Sequence, residues 1–424
     1  MSGTDAPPAT SATDVRDWLA RALGGEVTRW EQLVSGNSRT TWLADVATPG
    51  GEVAAVVRSD AGDGPFSGTE LTLGREARLY AALADTGVRL PRLLAHDDER
   101  DVLAVTRAEG TPEWSSQVLD DLLAELARLH SVDAEALDLP GFARTSLGDL
   151  ELWARIARER IAPANPFVDF AIEMLRARHP GEPERLVLCH GDAGPGNLLH
   201  DGERLTALLD WEFAHLGDPL DDLAWITIRA ILFGLELDDF AGRVRRVYAP
   251  ATGVELDEER LRYWQAVVVL RNLVTCLACI SNPVRGRDRT VHFMIVPPLQ
   301  VMLVDALCRL AGVEPAEPEP LEPLPELPGL DVVEEVALSL PVIVEALSDK
   351  ERWARAKRMQ RLTAQLAETL PLAPAIAAAD AAEGPPAADE GERLGQLSRM
   401  ARRRLLLYPR ARAMAAAPVA GFSG

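Results

Sequence analysis

The chain of 424 residues is predicted to be α+β, with a small antiparallel β-sheet lobe carrying one helix, a mainly helical second lobe, and a helical domain after them. Three observations carry this prediction. Between Val27 and Gly110 apolar residues alternate with a period of two and are broken by turn residues; from Trp114 they recur at helical spacing. The segment "VEPAEPEPLEPLPELPG", Val313 to Gly329, then separates a last helical stretch from the rest.

Residues 1–13 are small, polar and Pro-containing and read as a disordered lead-in. Structure is expected to start at "DVRDWLARAL", and the first lobe to occupy residues 14–110. "VTRWEQLV", "TTWLADV" and "EVAAVVR" read as successive antiparallel strands, with "TPGG" as the turn between the last two. Ser67 and Glu70 form a capping-box pattern ahead of the single helix expected here, and Gly87 is its natural stop. "DVLAVTRAEG" supplies a further strand. Residues 111–312 read as the helical lobe, from "SQVLDDLLAELARLHSV" to "HFMIVPPLQVMLVDALCRL", interrupted near residue 190 by two short strands. Residues 313–330 alternate Glu and Pro, which excludes helix interior and gives an extended linker. Residues 331–424 read as a tail domain of three helices. Its basic run of Arg399, Arg402, Arg403 and Arg404 is taken as a solvated helix face, with docking onto the acidic body or a partner as the alternative.

The balance of 44 basic against 65 acidic residues leaves a net charge of −21, which repels nucleic acid and anionic membrane surfaces and favours cationic or metal-bound ligands. No nucleic-acid or membrane partner is expected. The N-terminus has no basic start followed by an apolar run, and no segment is read as reaching the roughly 20 apolar residues of a membrane helix, so a cytoplasmic location is expected. The pair in "VTCLACI" has no second pair to complete a zinc site, and Cys276 and Cys279 read as buried thiols.

Chemistry concentrates in "VLCHGDAGPGNLLHDGERLTALLDWE", Val187 to Glu212. His190, Asp192 and Asn197 have the H-x-D-x-x-x-x-N spacing of a phosphoryl-transfer catalytic loop. Asp201 and Gly202 mark a hairpin turn whose open ends would bring Asn197 and Asp210 together. An amide oxygen beside a carboxylate suits Mg²⁺, which takes its remaining ligands from waters and substrate phosphates. Asp192 would accept the proton of an incoming hydroxyl and align it. His190 reads as a hydrogen-bonded brace; a metal site using it directly would leave the Asn spacing unexplained.

"HGDAGPGN" followed by "LLDWE" resembles the aminoglycoside phosphotransferase-like family of small-molecule kinases, and within it the branch associated with acyl-CoA dehydrogenases. The resemblance covers Asp14 to Gly312 and implies a bilobal protein-kinase-like fold. It implies Asp192 as the catalytic Asp, Asn197 and Asp210 as Mg²⁺ ligands, and Glu212 as a neighbour. It places a phosphate-covering loop at Ser35, Gly36, Asn37 and Ser38, and Arg58 where the family carries a Lys, paired with Glu76. Backbone around Thr106 to Ala108 would bind adenine. Asp218 is expected to brace the catalytic loop and Asp222 to cap the next helix, with His130 in a packing or bracing role.

The activity expected is transfer of the γ-phosphate of ATP or GTP to a small-molecule hydroxyl, with a hydroxy acid or hydroxyacyl-CoA favoured as acceptor. Arg271, Arg285, Arg287 and Arg289 are candidates for a CoA-binding mouth. An aminoglycoside kinase and a nucleotide-binding pseudokinase are the alternatives, and self-association through the tail is a further expectation.

Overall fold

The computed structural model describes residues 11–33, 39–60, 62, 64–202, 204–283, 289–322, 330–345, 347–348 and 350–416. Helix α1 (Ala12–Leu23) opens the chain, with Ser11 and Asp14 forming a reciprocal capping box and Gly24 closing it in the left-handed region. Five antiparallel strands follow: β1 (Glu26–Leu33), β2 (Thr40–Thr48), β3 (Gly51–Ser59), β4 (Leu93–Asp97) and β5 (Val102–Thr106), in the order β1-β2-β3-β5-β4. Alternation along β2 and β3 turns Trp42, Ala44, Val46, Ala55 and Val57 to one face, where Val15, Trp18 and Leu19 of α1 cover them. The sequence expects one helix in this lobe; α1 is a second, and it is what makes the outer face of the sheet a core.

Helix α2 (Leu73–Leu83) covers the other face. Its cap is Thr72, whose hydroxyl accepts from the Arg75 N–H at 3.2 Å, and not the expected Ser67. Ser67 instead hydrogen-bonds Asp60 at 2.5 Å, and Asp60 pairs with buried Arg39 at 2.6 Å. A side chain recruited by a buried ion pair is no longer available to a helix end.

The second lobe contains α3 (Ser116–His130), α4 (Gly148–Arg160), α5 (Pro166–Ala177), α6 (Pro219–Phe233), short helical turns α7 (Phe240–Arg243) and α8 (Ala249–Thr252), then α9 (Glu258–Ser281) and α10 (Thr290–Ala311). Between α5 and α6 lie β6 (Val187–Cys189), β7 (Leu198–His200), β8 (Leu205–Leu208) and β9 (His215–Gly217). Strand β6 pairs with β9, and β7 with β8.

Helices α9 and α10 are long and apolar enough to cross a membrane, which corrects the reading that no segment approaches that length. Of their apolar windows 72% and 67% are buried inside the protein, so this hydrophobicity belongs to core helices. The four cysteines are all buried, and none forms a disulfide.

Beyond α10, residues 313–322 have no regular structure. The tail holds α11 (Leu330–Glu345), α12 (Lys350–Thr369), α13 (Ala373–Ala382), α14 (Glu390–Leu405) and α15 (Arg412–Ala416). Helix α14 docks on the body: Leu394, Leu397, Ala401 and Leu405 belong to the same hydrophobic cluster as α9 and α10. The basic run on α14 is not a solvated face. Arg402 bridges Asp305 of α10 at 2.9 Å and Glu317 at 2.8 Å, Arg399 pairs with Glu383, and Arg403 and Arg404 pair with Asp380. Truncating fully buried Leu394 to Ala should therefore destabilise the helical lobe by roughly 2–5 kcal/mol in urea denaturation. A loss near zero would show that α14 does not share the core of the body.

Candidate active site

The segment between β6 and α6 is shaped by a buried carboxylate. Asp222, in the first turn of α6, accepts the His190 N–H at 2.7 Å and the Gly191 N–H at 2.9 Å, and its Oδ2 lies 3.0 Å from His130 Nε2. The other His130 nitrogen meets the Tyr248 hydroxyl at 2.6 Å. Burial alone would raise the Asp222 pKa, but the hydrogen bond with His130 and the electrostatic pull of that ring outweigh it and leave it lowered. Asp218, by contrast, caps α6 by accepting from the Leu220 N–H at 2.8 Å, and it pairs with Arg260. The expected roles of the two acids are thus exchanged. Asp218 precedes the helix, where a side chain reaches the free N–H groups, whereas Asp222 is one turn inside and faces the loop.

His190 is fully buried, its ring centre 4.5 Å from that of Trp211 and tilted 50° to it, with Nε2 2.9 Å from the Leu209 carbonyl and Nδ1 accepting the Asp192 N–H at 3.3 Å. Burial lowers its pKa and keeps it neutral. Both ring nitrogens are engaged, so it acts as a brace and leaves none for a metal.

Asp192 and Asn197 follow on the loop. The Asn197 Nδ2 donates to Asp192 Oδ2 at 2.5 Å and to the Asp192 carbonyl at 3.0 Å. This orientation points the Asn197 amide oxygen away from Asp192. Hairpin β7–β8 pairs Leu198 with Leu208, and the Leu209 N–H donates to the Asn197 carbonyl at 2.9 Å, so the chain returns to Asn197 one residue before Asp210. Asp210 has φ of 64°, a conformation uncommon outside Gly that Asp and Asn tolerate better than most residues. Its side chain is 39% exposed while Asp192 and Asn197 are buried. Burial and then the nearby Asp210 charge raise the Asp192 pKa, with Arg229 pulling the other way.

Arg58 and Glu76 lie 2.7 Å apart across β3 and α2. The same guanidinium reaches Asp210 at 3.0 Å and Glu212 at 3.3 Å. Burial works against the Arg58 charge, but Glu76, Asp210 and Glu212 outweigh it and hold its pKa above the ordinary value. Burial, then the Asp210 charge, pushes the Glu212 carboxyl up to about 8. The pair thus joins the sheet lobe to the hairpin end.

Other expected positions are placed less favourably. Ser35, Gly36, Asn37 and Ser38 lie outside the described residues, as do Arg285 and Arg287. Thr106 donates its N–H to the Arg92 carbonyl at 2.8 Å and Arg107 to the Ala54 carbonyl at 3.0 Å; Ala108 lies past the strand, partly exposed. Arg289 donates to the Ile280 carbonyl at 2.8 Å. Arg271 is no CoA ligand: it is 1% exposed and held by Asp221 at 2.7 Å and by Asp149. A buried Arg is retained only where carboxylates compensate it. The sequence reading missed Arg229, whose guanidinium pairs with Asp192; a lone cation in the otherwise apolar stretch "WITIRAILF" was the available signal.

Residues 29–264, more than half of the chain, match the Phosphotransferase enzyme family. The chain belongs to this family. It is 28% identical over 180 residues to mouse acyl-CoA dehydrogenase family member 10, a match covering 36% of this chain and 16% of that protein. To chicken acyl-CoA dehydrogenase family member 11 it is 27% identical over 216 residues, covering 46% of this chain and 27% of the relative. The chain therefore spans about a sixth to a quarter of the length of these relatives. The aminoglycoside 3'-phosphotransferase of Streptomyces ribosidificus is 29% identical over 212 residues, covering 46% of this chain and 78% of the enzyme. In fold, the chain resembles a choline kinase of Streptococcus pneumoniae, with a TM-score of 0.53, 18% identity and coverage of 71% of this chain and 98% of that one. A thermostable mutant aminoglycoside phosphotransferase in complex with ADP and hygromycin B gives a TM-score of 0.50 at 20% identity, covering 71% and 99%.

One ionisable group below the site makes stability depend on pH. His215 lies 3.7 Å from Asp149 and 3.5 Å from Asp221, in the network around Arg271. Burial opposes its protonation, but Asp149 and Asp221 outweigh it and raise its pKa above the ordinary 6.5. The protonated form then stabilises the fold fully below the unfolded value and loses this contribution as pH rises through the folded value. Melting temperature should fall more steeply in the parent than in His215→Asn as pH increases from 6.5. Parallel curves would remove His215 from this role.

Proposed function

We propose that this phosphotransferase uses Mg²⁺ and ATP to phosphorylate a hydroxyl on a hydroxy acid or hydroxyacyl-CoA. The observation that carries the phosphoryl-transfer half is the convergence of Asp192, Asn197 and Asp210 at the hairpin end, opposite the Arg58–Glu76 pair. The donor set fits a hard divalent cation: Asn197 offers an amide oxygen turned from Asp192, which Arg229 Nη2 approaches only to 3.5 Å, the exposed Asp210 carboxylate adds a second oxygen, and neither position offers sulfur or imidazole. When bound there with the nucleotide, Mg²⁺ would neutralise charge on the phosphates.

The protein's own groups do the rest. Asp192 accepts the hydrogen of the acceptor hydroxyl and aims its oxygen at the γ-phosphorus. As the new O–P bond forms, the bond to the β–γ bridging oxygen breaks, ADP leaves with that electron pair, and the hydroxyl proton passes to Asp192. Arg58, kept charged by its carboxylates and placed by Glu76, would reach the nucleotide phosphates as a planar fork, where a Lys would offer a point charge. Alignment and charge neutralisation supply most of the rate in such transfers.

The acceptor assignment rests on two supports. The matches to acyl-CoA dehydrogenase family members favour an acyl-linked substrate. Phe233 is 55% exposed and borders the catalytic loop at Gly196, which would give an acyl chain an apolar contact beside Asp192. The net charge of −21 and the Streptomyces relative favour an aminoglycoside instead, so the test carries both.

Nucleotide consumption should be measured with ATP and with GTP, with and without Mg²⁺, across hydroxy acids, their CoA esters and aminoglycosides. A hydroxyacyl acceptor is expected to give the highest kcat/KM; preference for an aminoglycoside would replace the acceptor assignment. With the best acceptor, Asp192→Asn should lower kcat by about 10²–10⁴-fold. Turnover equal to the parent's would remove Asp192 as the base. Nucleotide binding without turnover on any acceptor would make the chain a pseudokinase. Arg58→Met should mainly raise KM for the nucleotide, by a factor of about 10 for the loss of one charge-assisted contact.

A further inference from the structure

Arg229 is a charged side chain touching the catalytic loop that phosphoryl transfer by Asp192, Asn197 and Asp210 does not itself explain. It lies on α6 among buried Ile226, Ile228, Ala230 and Ile231, so its guanidinium reaches the loop from a packed helix. That guanidinium spans three loop positions. Nη1 pairs with Asp192 Oδ1, Nε donates to the Pro195 carbonyl at 2.8 Å, and Nη2 faces Asn197 Oδ1 at 3.5 Å. Its Cζ lies 5.4 Å from the centre of the Phe233 ring, one turn further along α6.

The loop is moulded around this side chain. Gly194 and Gly196 have φ of 143° and 93°. A Cβ on Gly194 would lie 3.1 Å from Arg229 Cδ, and one on Gly196 3.1 Å from Arg229 Nη2. The two glycines of "GPG" therefore leave the room the guanidinium occupies. Asp192 has one oxygen on Arg229 and the other on Asn197 Nδ2. The last torsion of an Asp side chain is intrinsically broad, and a carboxylate held at one oxygen would still turn. Held at both, its plane is set relative to the loop.

We propose that Arg229 is a positioning residue for phosphoryl transfer: it sets the plane of the Asp192 carboxylate and ties it to the backbone carrying Asn197. This rests on the phosphotransferase reading above. The role needs the planar fork as well as the charge, because three separate loop atoms are engaged by three different guanidinium nitrogens. A Lys at this position would keep the charge but reach fewer of these atoms.

The test compares Arg229→Gln, Arg229→Lys, Arg229→Ala and Asp192→Asn in the full chain, following ATP consumption with the best acceptor and with water alone. Arg229→Gln should lower kcat by about a hundredfold, the cost of misaligning a reacting group, while KM for ATP changes by less than about threefold. Arg229→Lys should recover part of that loss, and guanidinium ion added to Arg229→Ala should raise kcat in a saturable way. Both recoveries remain readable if Arg229→Gln proves too unstable to assay. If Arg229→Gln keeps kcat within about threefold of the parent while Asp192→Asn loses it, the positioning role is overturned and the phosphotransferase reading stands. Failure of both recoveries in folded protein also overturns it. A parent inactive with water and with every acceptor overturns both readings together.

Discussion

The site depends first on one buried carboxylate. Asp222 receives the backbone N–H groups of His190 and Gly191 and the ring of His130, and these bonds set where the catalytic loop leaves β6. Backbone donors in a water-free interior must find an acceptor, and a helix-borne carboxylate offers a rigid one. From that anchor the loop runs to Asp192 and Asn197, and hairpin β7–β8 brings the chain back to Asp210. The order of dependence runs from packing to chemistry: α6 is placed by its apolar face, Asp222 by α6, the loop by Asp222.

Charge compensation is the second constraint. Arg58 faces Glu76, Asp210 and Glu212; Arg271 faces Asp149 and Asp221, with His215 alongside; Arg229 faces Asp192. Each cation is buried or nearly so, and each would be untenable without its carboxylates. The shared carboxylates link the sets to the working groups. Asp210 belongs both to the Arg58 set and to the proposed metal position, and Asp192 both to Arg229 and to the proposed acceptor contact. Binding of a nucleotide and a cation would therefore redistribute partners within an existing network of charges.

Much of this was legible in the sequence, and the exceptions have physical causes. The spacing of His190, Asp192 and Asn197 and the "DG" hairpin before Asp210 are local, so chain geometry alone brings these groups together. Arg58 and Glu76 were legible as a pair because they occupy a strand end and a helix whose order is recognisable. Arg229 and Arg271 were not. Each lies in an apolar helix, and a single charge there says only that some partner exists; Arg229 found one on the loop, while Arg271 found Asp149, which is 122 residues away in the chain. Likewise, the exchange of roles between Asp218 and Asp222 follows from which residue begins the helix, a boundary that sequence patterns locate only to within a few residues.

The sequence by itself determined the period of each segment, the spacing of His190, Asp192 and Asn197 and the hairpin, because these rest on covalent geometry and on contacts within about twenty residues. It also determined that the first lobe is a sheet and the second helical. Only the tertiary structure decided that α1 covers the outer face of the sheet, that α14 docks its apolar side and Arg402 on α10, and that Arg229 holds Asp192. Those choices join residues far apart in the chain. They are made when apolar faces and buried charges select partners from everything the fold brings near, and no local pattern records that selection.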